Sequence, residues 1–319
     1  MTIRVAAYQH GIYPRSEEVV AATRALDRGR TTADDVEAAF GADRRDFIAT
    51  QQEAGLDRFS DGLLRWPDLF RPLVEACDGL EARTLVRWFD NNAFFRAPEV
   101  TGALALRATL PAGIDDADLP EPWLATLPSP YLFSRAAQWA GDRDALMLDL
   151  TNEVLRPIGE ALVAGGYSLI HLQEPWLAYH GIEAGSWDAF GKALAGLKES
   201  VPGATLVLHV YFGDAGPHAD RLRRLPVDVV GIDFVETDVG SLGSDWEVGL
   251  LAGCLDGRSS PVESADGTAA FVERVADALS PPALYLSSNC ELEYLPRDVA
   301  RRKVLRLGEV AARVKAALA

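Results

Sequence analysis

The sequence predicts an α/β protein: a single (β/α)8 TIM barrel over residues 1–319, with a small hairpin-like insertion after its second strand. Three observations carry that expectation. Short apolar runs alternate with longer amphipathic stretches from end to end, the pattern of repeated βα units around a parallel sheet. The runs number eight. No internal repeat, low-complexity tract or linker rich in Pro, Gly and Ser divides the 319 residues, a length that barrels carry as one core.

Residues 3–8 (IRVAAY) open the series, and residues 57–59, after a helix through QQEAGL, form a short second strand. Residues 130–133 (PYLF) supply the third. Residues 167–172 (YSLIHL), 205–211 (TLVLHVY), 228–234 (DVVGIDF), 250–255 (LLAGCL) and 284–286 (LYL) complete the set. Residues 187–197 and 268–279 repeat apolar side chains at helical spacing and suit crossover connections. Residues 296–318 interleave Arg and Lys with Val, Leu and Ala, so this last helix closes the barrel from outside. Residues 84–110 read as two strands with no helix between them, hence the insertion.

A formal charge of −16 argues against nucleic acid or an anionic membrane as partner, because both need a basic face to displace counterions. A small-molecule substrate is the remaining expectation. No apolar stretch approaches the roughly 20 residues that span a bilayer, and MTIRVAAYQH reads as a strand rather than a secretion signal, which points to the cytoplasm. Cys77, Cys254 and Cys290 are odd in number and far apart, so reduced thiols are expected.

Barrel chemistry sits at the C-terminal strand ends. Those ends are polar here: HGIYPR (10–15), SDGLLRWPD (60–68), HLQEPW (171–176), HVYFGD (209–214), IDFVET (232–237), CLDGRSSPVE (254–263) and SSNCELEYLPR (287–297). Glu174 is a candidate general base or substrate contact, or else a carboxylate satisfied by backbone amides at the strand-to-loop corner. Asp256 and Arg258 would meet a substrate carboxylate or another anionic ligand group, or else brace their loop as an ion pair. Tyr13, Trp66, Trp176 and Tyr211 would line the mouth and stack on a flat ligand, or simply pack. Arg15 and Arg65 are candidate anion clamps with surface charge as the alternative, while His180 and His218 read as solvent-facing.

In order and spacing, the GIYPR turn, QEAGLDRFSDG (52–62), the QEP triplet (173–175), LPVD with GIDF, LDGRSSPVE, and NCELEYLPR followed by Lys303 resemble the cobalamin-independent methionine synthases and their single-barrel relatives. The resemblance covers nearly the whole chain. It implies methyl transfer from a folate to the thiol of homocysteine, with zinc holding that thiol as thiolate. The implied zinc ligands here are His209, Asp233 (where the acid is normally Glu) and Cys290. Tyr211 stands where the family has its second Cys, which removes a soft ligand. HVYFGD is also similar to the metal-free N-terminal barrel of the long synthases.

Two further departures concern substrate. The family's Gly-Glu after the second strand is Gly62-Leu63, and its Asp before Glu-Pro is Gln173; the glycine-serine of the first turn is Gly11-Ile12. An ammonium group thereby loses two anionic partners, so free homocysteine is not the expected acceptor, and Gln173 becomes a substrate contact of different chemistry. The leading expectation is methyl or one-carbon transfer to a non-standard acceptor. Two alternatives stay open: a metal-free enzyme using Glu174, His209 and Tyr211 as acid and base, or a barrel that binds a folate-like ligand without catalysis. In either enzyme reading Tyr13, Glu174, His209, Asp233, Asp256 and Cys290 should converge at one end of the barrel.

Overall fold

A computed structural model describes residues 3–91, 94–108, 110–114, 118–244 and 246–319. Among the described residues nine strands are formed: β1 (Arg4–Ala7), β2 (Cys77–Val86), β3 (Phe95–Leu106), β4 (Trp123–Pro128), β5 (Tyr167–Glu174), β6 (Thr205–Val210), β7 (Val229–Asp233), β8 (Gly249–Leu255) and β9 (Ala283–Ser288). Seven of them make one sheet in the order β1-β9-β8-β7-β6-β5-β4, and every pairing in it is parallel. Strands rich in Leu, Ile and Val, with helices packed on the outer face between most of them, dictate this arrangement, since a sheet buried on both faces needs near-continuous apolar strands.

Residues 57–59 lie between the two edges of the sheet without forming a full ladder. Asp57 N–H donates to Ala7 O at 2.8 Å, Phe59 N–H to Pro122 O at 3.0 Å, and Leu124 N–H to Phe59 O at 3.0 Å. The Asp57 carboxylate reinforces the first contact by accepting from Ala7 N at 2.7 Å, and Lys315 of the C-terminal helix Arg297–Ala317 holds both its oxygens at 2.7 Å. The same helix packs closely on Ala54, at the end of helix Ala33–Glu53: a Cβ on Gly308 would fall 1.9 Å from the Ala54 carbonyl oxygen. Glycine is required there.

The third strand is a correction to the sequence reading. Residues 130–133 belong to helix Pro130–Ala136, and the strand is β4, seven residues earlier in the chain at its start. Ser129 explains the switch: its side chain accepts from Leu132 N at 3.0 Å as an N-cap, and Pro130 follows at the first helical position, where its missing N–H costs nothing. The predicted hairpin is present as the antiparallel pair β2·β3, with longer strands than 84–110 implied. Asn92, Ala93 and Thr109, within that stretch, lie outside the described residues.

Candidate functional site

Inward-facing side chains alternate along each parallel strand, and they stack in layers. The lowest layer is apolar: Ala6, Tyr8, Leu124, Leu169, Val207, Val229, Leu251 and Tyr285 form a cluster of their own inside the sheet. Two residues further along β5 and β6 come His171 and His209, joined by His10 just after β1, all three buried. His10 stacks on His171 with centroids 4.0 Å apart and 13° between planes. His209 meets both rings edge-on, at 4.9 Å and 5.2 Å. Space for the His209 ring comes from Gly231 on the adjacent strand, where a Cβ would lie 2.6 Å from His209 Cδ2.

The nitrogens of this trio are unequally served. His171 Nδ1 lies 3.1 Å from the Tyr8 hydroxyl, and His10 Nε2 lies 3.3 Å from Ser288 O. His10 Nδ1 is 3.5 Å from Gln173 Nε2, too long for a good hydrogen bond. His171 Nε2 and both nitrogens of His209 are buried with no protein partner among the described residues, as is the nearby Ser287 Oγ. Burial lowers all three imidazole pKa values, that of His10 to about 4, with mutual repulsion adding to the effect at His171 and His209. The rings are therefore neutral at pH 7.

Two residues further along the same strands, Gln173 and Tyr211 form the upper layer. The Tyr211 hydroxyl donates to Gln173 Oε1 at 3.2 Å, and Gln173 Nε2 donates to Glu291 Oε2 at 3.3 Å. Glu291 also accepts from Ile12 N at 3.0 Å and from the Tyr294 hydroxyl at 3.0 Å. Burial pushes the Glu291 carboxyl up while these donors hold it down, and burial together with the Glu291 charge pushes Glu293 well up. Gly11 (φ +73°) carries the chain past this group, since a Cβ would lie 2.5 Å from both Gln173 Nε2 and Glu291 Cβ. Over the same strand ends lies Phe89 from the hairpin connection, packed against Trp176 (6.2 Å), Tyr179 (5.5 Å) and Phe212 (5.4 Å).

The structure places the remaining predicted residues as follows. Glu174 is fully buried, and its oxygens accept from Ser129 Oγ, from Leu132 N at 3.0 Å and from Leu177 N at 2.9 Å, so it caps two helix starts. Burial raises its pKa to about 7 against those donors. Asp233 accepts from Val235 N (3.0 Å), Asn289 Nδ2 (2.9 Å) and Phe212 N (3.1 Å), and burial pushes its pKa up to about 6. Cys290 is buried, with its thiol pushed well up by burial and the Asp233 charge. Asp256 Oδ1 accepts from Arg258 N at 2.9 Å, and Arg258 pairs with Glu236 and lies over the Phe212 ring at 5.1 Å.

Tyr13 stacks on Phe47 at 4.1 Å in the packing around the sheet, and Arg297 covers its ring at 5.3 Å. Arg15 donates to the carbonyls of Leu64 (2.6 Å) and Trp66, and Trp66 is wholly buried. Trp176 reaches the strand ends through Phe89 and Trp88. Arg65 pairs with Glu37, and His180 bonds Trp88 O at 3.0 Å. Leu63 buries an apolar side chain at left-handed φ, 45°, so no carboxylate stands there.

Metal-type donors assemble differently from the resemblance's ligand set. Among the described residues, the group of His, Cys, Asp and Glu donor atoms lying within 4.8 Å of one another is His10, His171 and His209, and it includes neither Asp233 nor Cys290. With the Asp233 oxygens engaged by three N–H donors and Tyr211 committed to Gln173, the implied zinc set does not fit. His10, His171, Glu291 and Tyr294 went unremarked in the sequence. The available signal, for His171, was period two: it stands two residues before Gln173, as His209 does before Tyr211, on the inward face.

Residues 75–279, well over half of the chain, match the family model described as "Cobalamin-independent synthase, N-terminal domain". A methionine synthase of Sulfolobus acidocaldarius is 25% identical over 312 residues, covering 93% of this chain and 88% of that protein. A 5-methyltetrahydropteroyltriglutamate-homocysteine methyltransferase of Herpetosiphon aurantiacus is 26% identical over 243 residues, but this chain spans only 32% of its length. The fold is similar to that of a B12-independent methionine synthase from a Shewanella species, with TM-score 0.74 at 16% identity and coverage of 100% of this chain and 99% of that one. It is equally similar, at TM-score 0.74 and 16% identity, to a B12-independent methionine synthase structure from Listeria monocytogenes.

Proposed function

The chain belongs to the cobalamin-independent synthase N-terminal-domain family, and from that premise we propose that it transfers a methyl or other one-carbon group to a small polar acceptor at the C-terminal strand ends. The observation that carries this reading is the buried polar chain Tyr211–Gln173–Glu291–Tyr294 at the ends of β5, β6 and β9. Mutually hydrogen-bonded, these buried groups are held in fixed orientations, at the strand ends where barrels of this kind take their ligands. Residues 57–59 serve as the eighth stave, which closes one barrel over the whole chain.

Each group has a distinct task. Gln173, fixed by Tyr211 and Glu291, presents an amide to the acceptor. Glu291 and Glu293, crowded together, hold one proton between them and take up or release it as the acceptor loses its own. Trp176 and Phe89 offer flat faces to a folate-type donor. Glu174 fixes the helix starts around the site, and Asp256 with Arg258 shapes its rim. Because Leu63 and Gln173 supply no carboxylate, the acceptor is one without an ammonium group. The proposed compartment is the cytoplasm, with reduced thiols.

A second reading has one specific support: the matching family model is that of the N-terminal domain. On that reading the barrel holds a folate-like ligand and does no chemistry. The test is transfer of a labelled methyl group from 5-methyltetrahydrofolate to a set of thiols, run beside a direct titration of the folate. Turnover supports the first reading, and binding without turnover the second.

A further inference from the structure

We infer that His10, His171 and His209 form a binding site for one divalent first-row transition ion, with an open fourth position facing Gln173. The orphaned donors argue for it. A buried polar atom without a partner is costly, and proteins rarely tolerate several together unless an ion or water serves them. Here three imidazole nitrogens are orphaned in one layer: His171 Nε2, His209 Nδ1 and His209 Nε2.

At two of the three rings the outer shell is arranged as metal-bound histidines require. A ligating imidazole hands its other nitrogen to a carbonyl or hydroxyl that fixes the ring. His171 Nδ1 has the Tyr8 hydroxyl at 3.1 Å, and His10 Nε2 has the Ser288 carbonyl at 3.3 Å. His171 thereby keeps Nε2 and His10 keeps Nδ1 for the centre, while His209 has both nitrogens to offer. The three donor atoms already lie within 4.8 Å of one another. A tetrahedral ion with bonds of about 2.0–2.1 Å needs nitrogens roughly 3.3 Å apart, so modest ring rotations complete the set.

Donor chemistry selects the ion. Three neutral imidazoles without a carboxylate suit Zn(II), Co(II), Ni(II), Cu(II) or Fe(II) and exclude the oxygen-seeking Mg(II) and Ca(II). Three protein ligands and one free position is the pattern of catalytic rather than structural zinc. The layer above supplies the occupant's surroundings: Gln173 Nε2 stands 3.5 Å from His10 Nδ1 and bonds the Glu291 carboxylate. The site shares only His209 with the ligand set that the family resemblance implies, and it stands whether or not methyl transfer occurs.

The test is metal content and Co(II) absorption of the full chain, stripped with chelator, reloaded with Zn(II) or Co(II) and dialysed. One ion per chain is expected in the wild type, in Asp233→Asn and in Cys290→Ser, falling at least tenfold in His171→Asn and His209→Asn. The Co(II) form should show tetrahedral visible bands and no thiolate charge-transfer band in the near ultraviolet. The spectrum needs only wild-type protein, so it decides the matter even if the histidine variants fail to fold. No retained ion in the wild type, a thiolate band, or loss of metal in Cys290→Ser with retention in His171→Asn would each overturn the assignment.

Discussion

The Tyr211 hydroxyl donates to Gln173 Oε1 at 3.2 Å, which turns the Gln173 amide so that its nitrogen faces Glu291 at 3.3 Å and His10 at 3.5 Å. A phenol at this position thus orients its neighbour. Tyr211→Phe should release the Gln173 amide and leave its oxygen unsatisfied. The expected loss is about 1–3 kcal/mol of stability in chemical denaturation. Transfer activity should fall roughly tenfold or more in kcat/KM, since 1.4 kcal/mol of lost positioning is already a factor of ten.

Glu174 should prove to be a stability residue. Its oxygens cap the helices starting at Pro130 and Pro175. Each lost cap costs about 0.5–2 kcal/mol, so Glu174→Ala should destabilise the fold by about 1–4 kcal/mol. Metal content of the folded variant should stay at the wild-type level. Unchanged stability with abolished turnover would instead make Glu174 the general base.

Acid should weaken the fold through the histidines. His10 titrates near pH 4 when folded and at its ordinary 6.5 when unfolded. The unfolded chain therefore binds more protons between those values, so the stability His10 allows is intact above pH 6.5 and is lost as pH falls towards 4. A shift of this size corresponds to about 3 kcal/mol. Glu174, with its pKa raised to about 7, acts oppositely: its contribution is full below 4.5 and is lost as pH rises through 7. The readout is accordingly a difference, measured with chelator present: the stability gap between His10→Gln and wild type should shift in the variant's favour by about 3 kcal/mol from pH 7 to pH 4.

Gly231→Ala tests the room made for His209. The new Cβ would sit 2.6 Å from His209 Cδ2 and 2.8 Å from Cγ, so the ring must move. A cost of about 1–3 kcal/mol is expected, as for other overpacked interiors. Metal uptake should fall with it, which a chelator competition would read.

Much of this fold was legible in the sequence, because apolar runs at βα spacing report burial directly. Six runs became strands of the sheet, and the hairpin expected at 84–110 is present with its first strand beginning earlier, at Cys77. Of the other two runs, residues 57–59 bridge the sheet's edges without a full ladder, and PYLF at 130–133, apolar enough for a strand, became a helix because a Ser-Pro start capped it; capping chemistry overrode composition. The site was less legible. Gln173 and Tyr211 were found because they depart from a motif. His10, His171 and Glu291 were missed because their importance comes from meeting across the sheet, 163 residues apart in the case of Gln173 and His10. Asp233 shows the converse: a carboxylate at a strand end looks free in sequence, while its oxygens are taken by Phe212, Val235 and Asn289.

The most direct measurement is competition between homocysteine and 4-mercaptobutyrate, the same thiol without the amino group, for a labelled methyl group from 5-methyltetrahydrofolate in zinc-supplemented wild-type protein. Leu63 and Gln173 leave an ammonium without the charged partners it needs in a buried site, a cost on the order of a few kcal/mol. The predicted result is label transferred preferentially to 4-mercaptobutyrate, by tenfold or more in kcat/KM. Preferential methylation of homocysteine, or no transfer to either thiol, would contradict it.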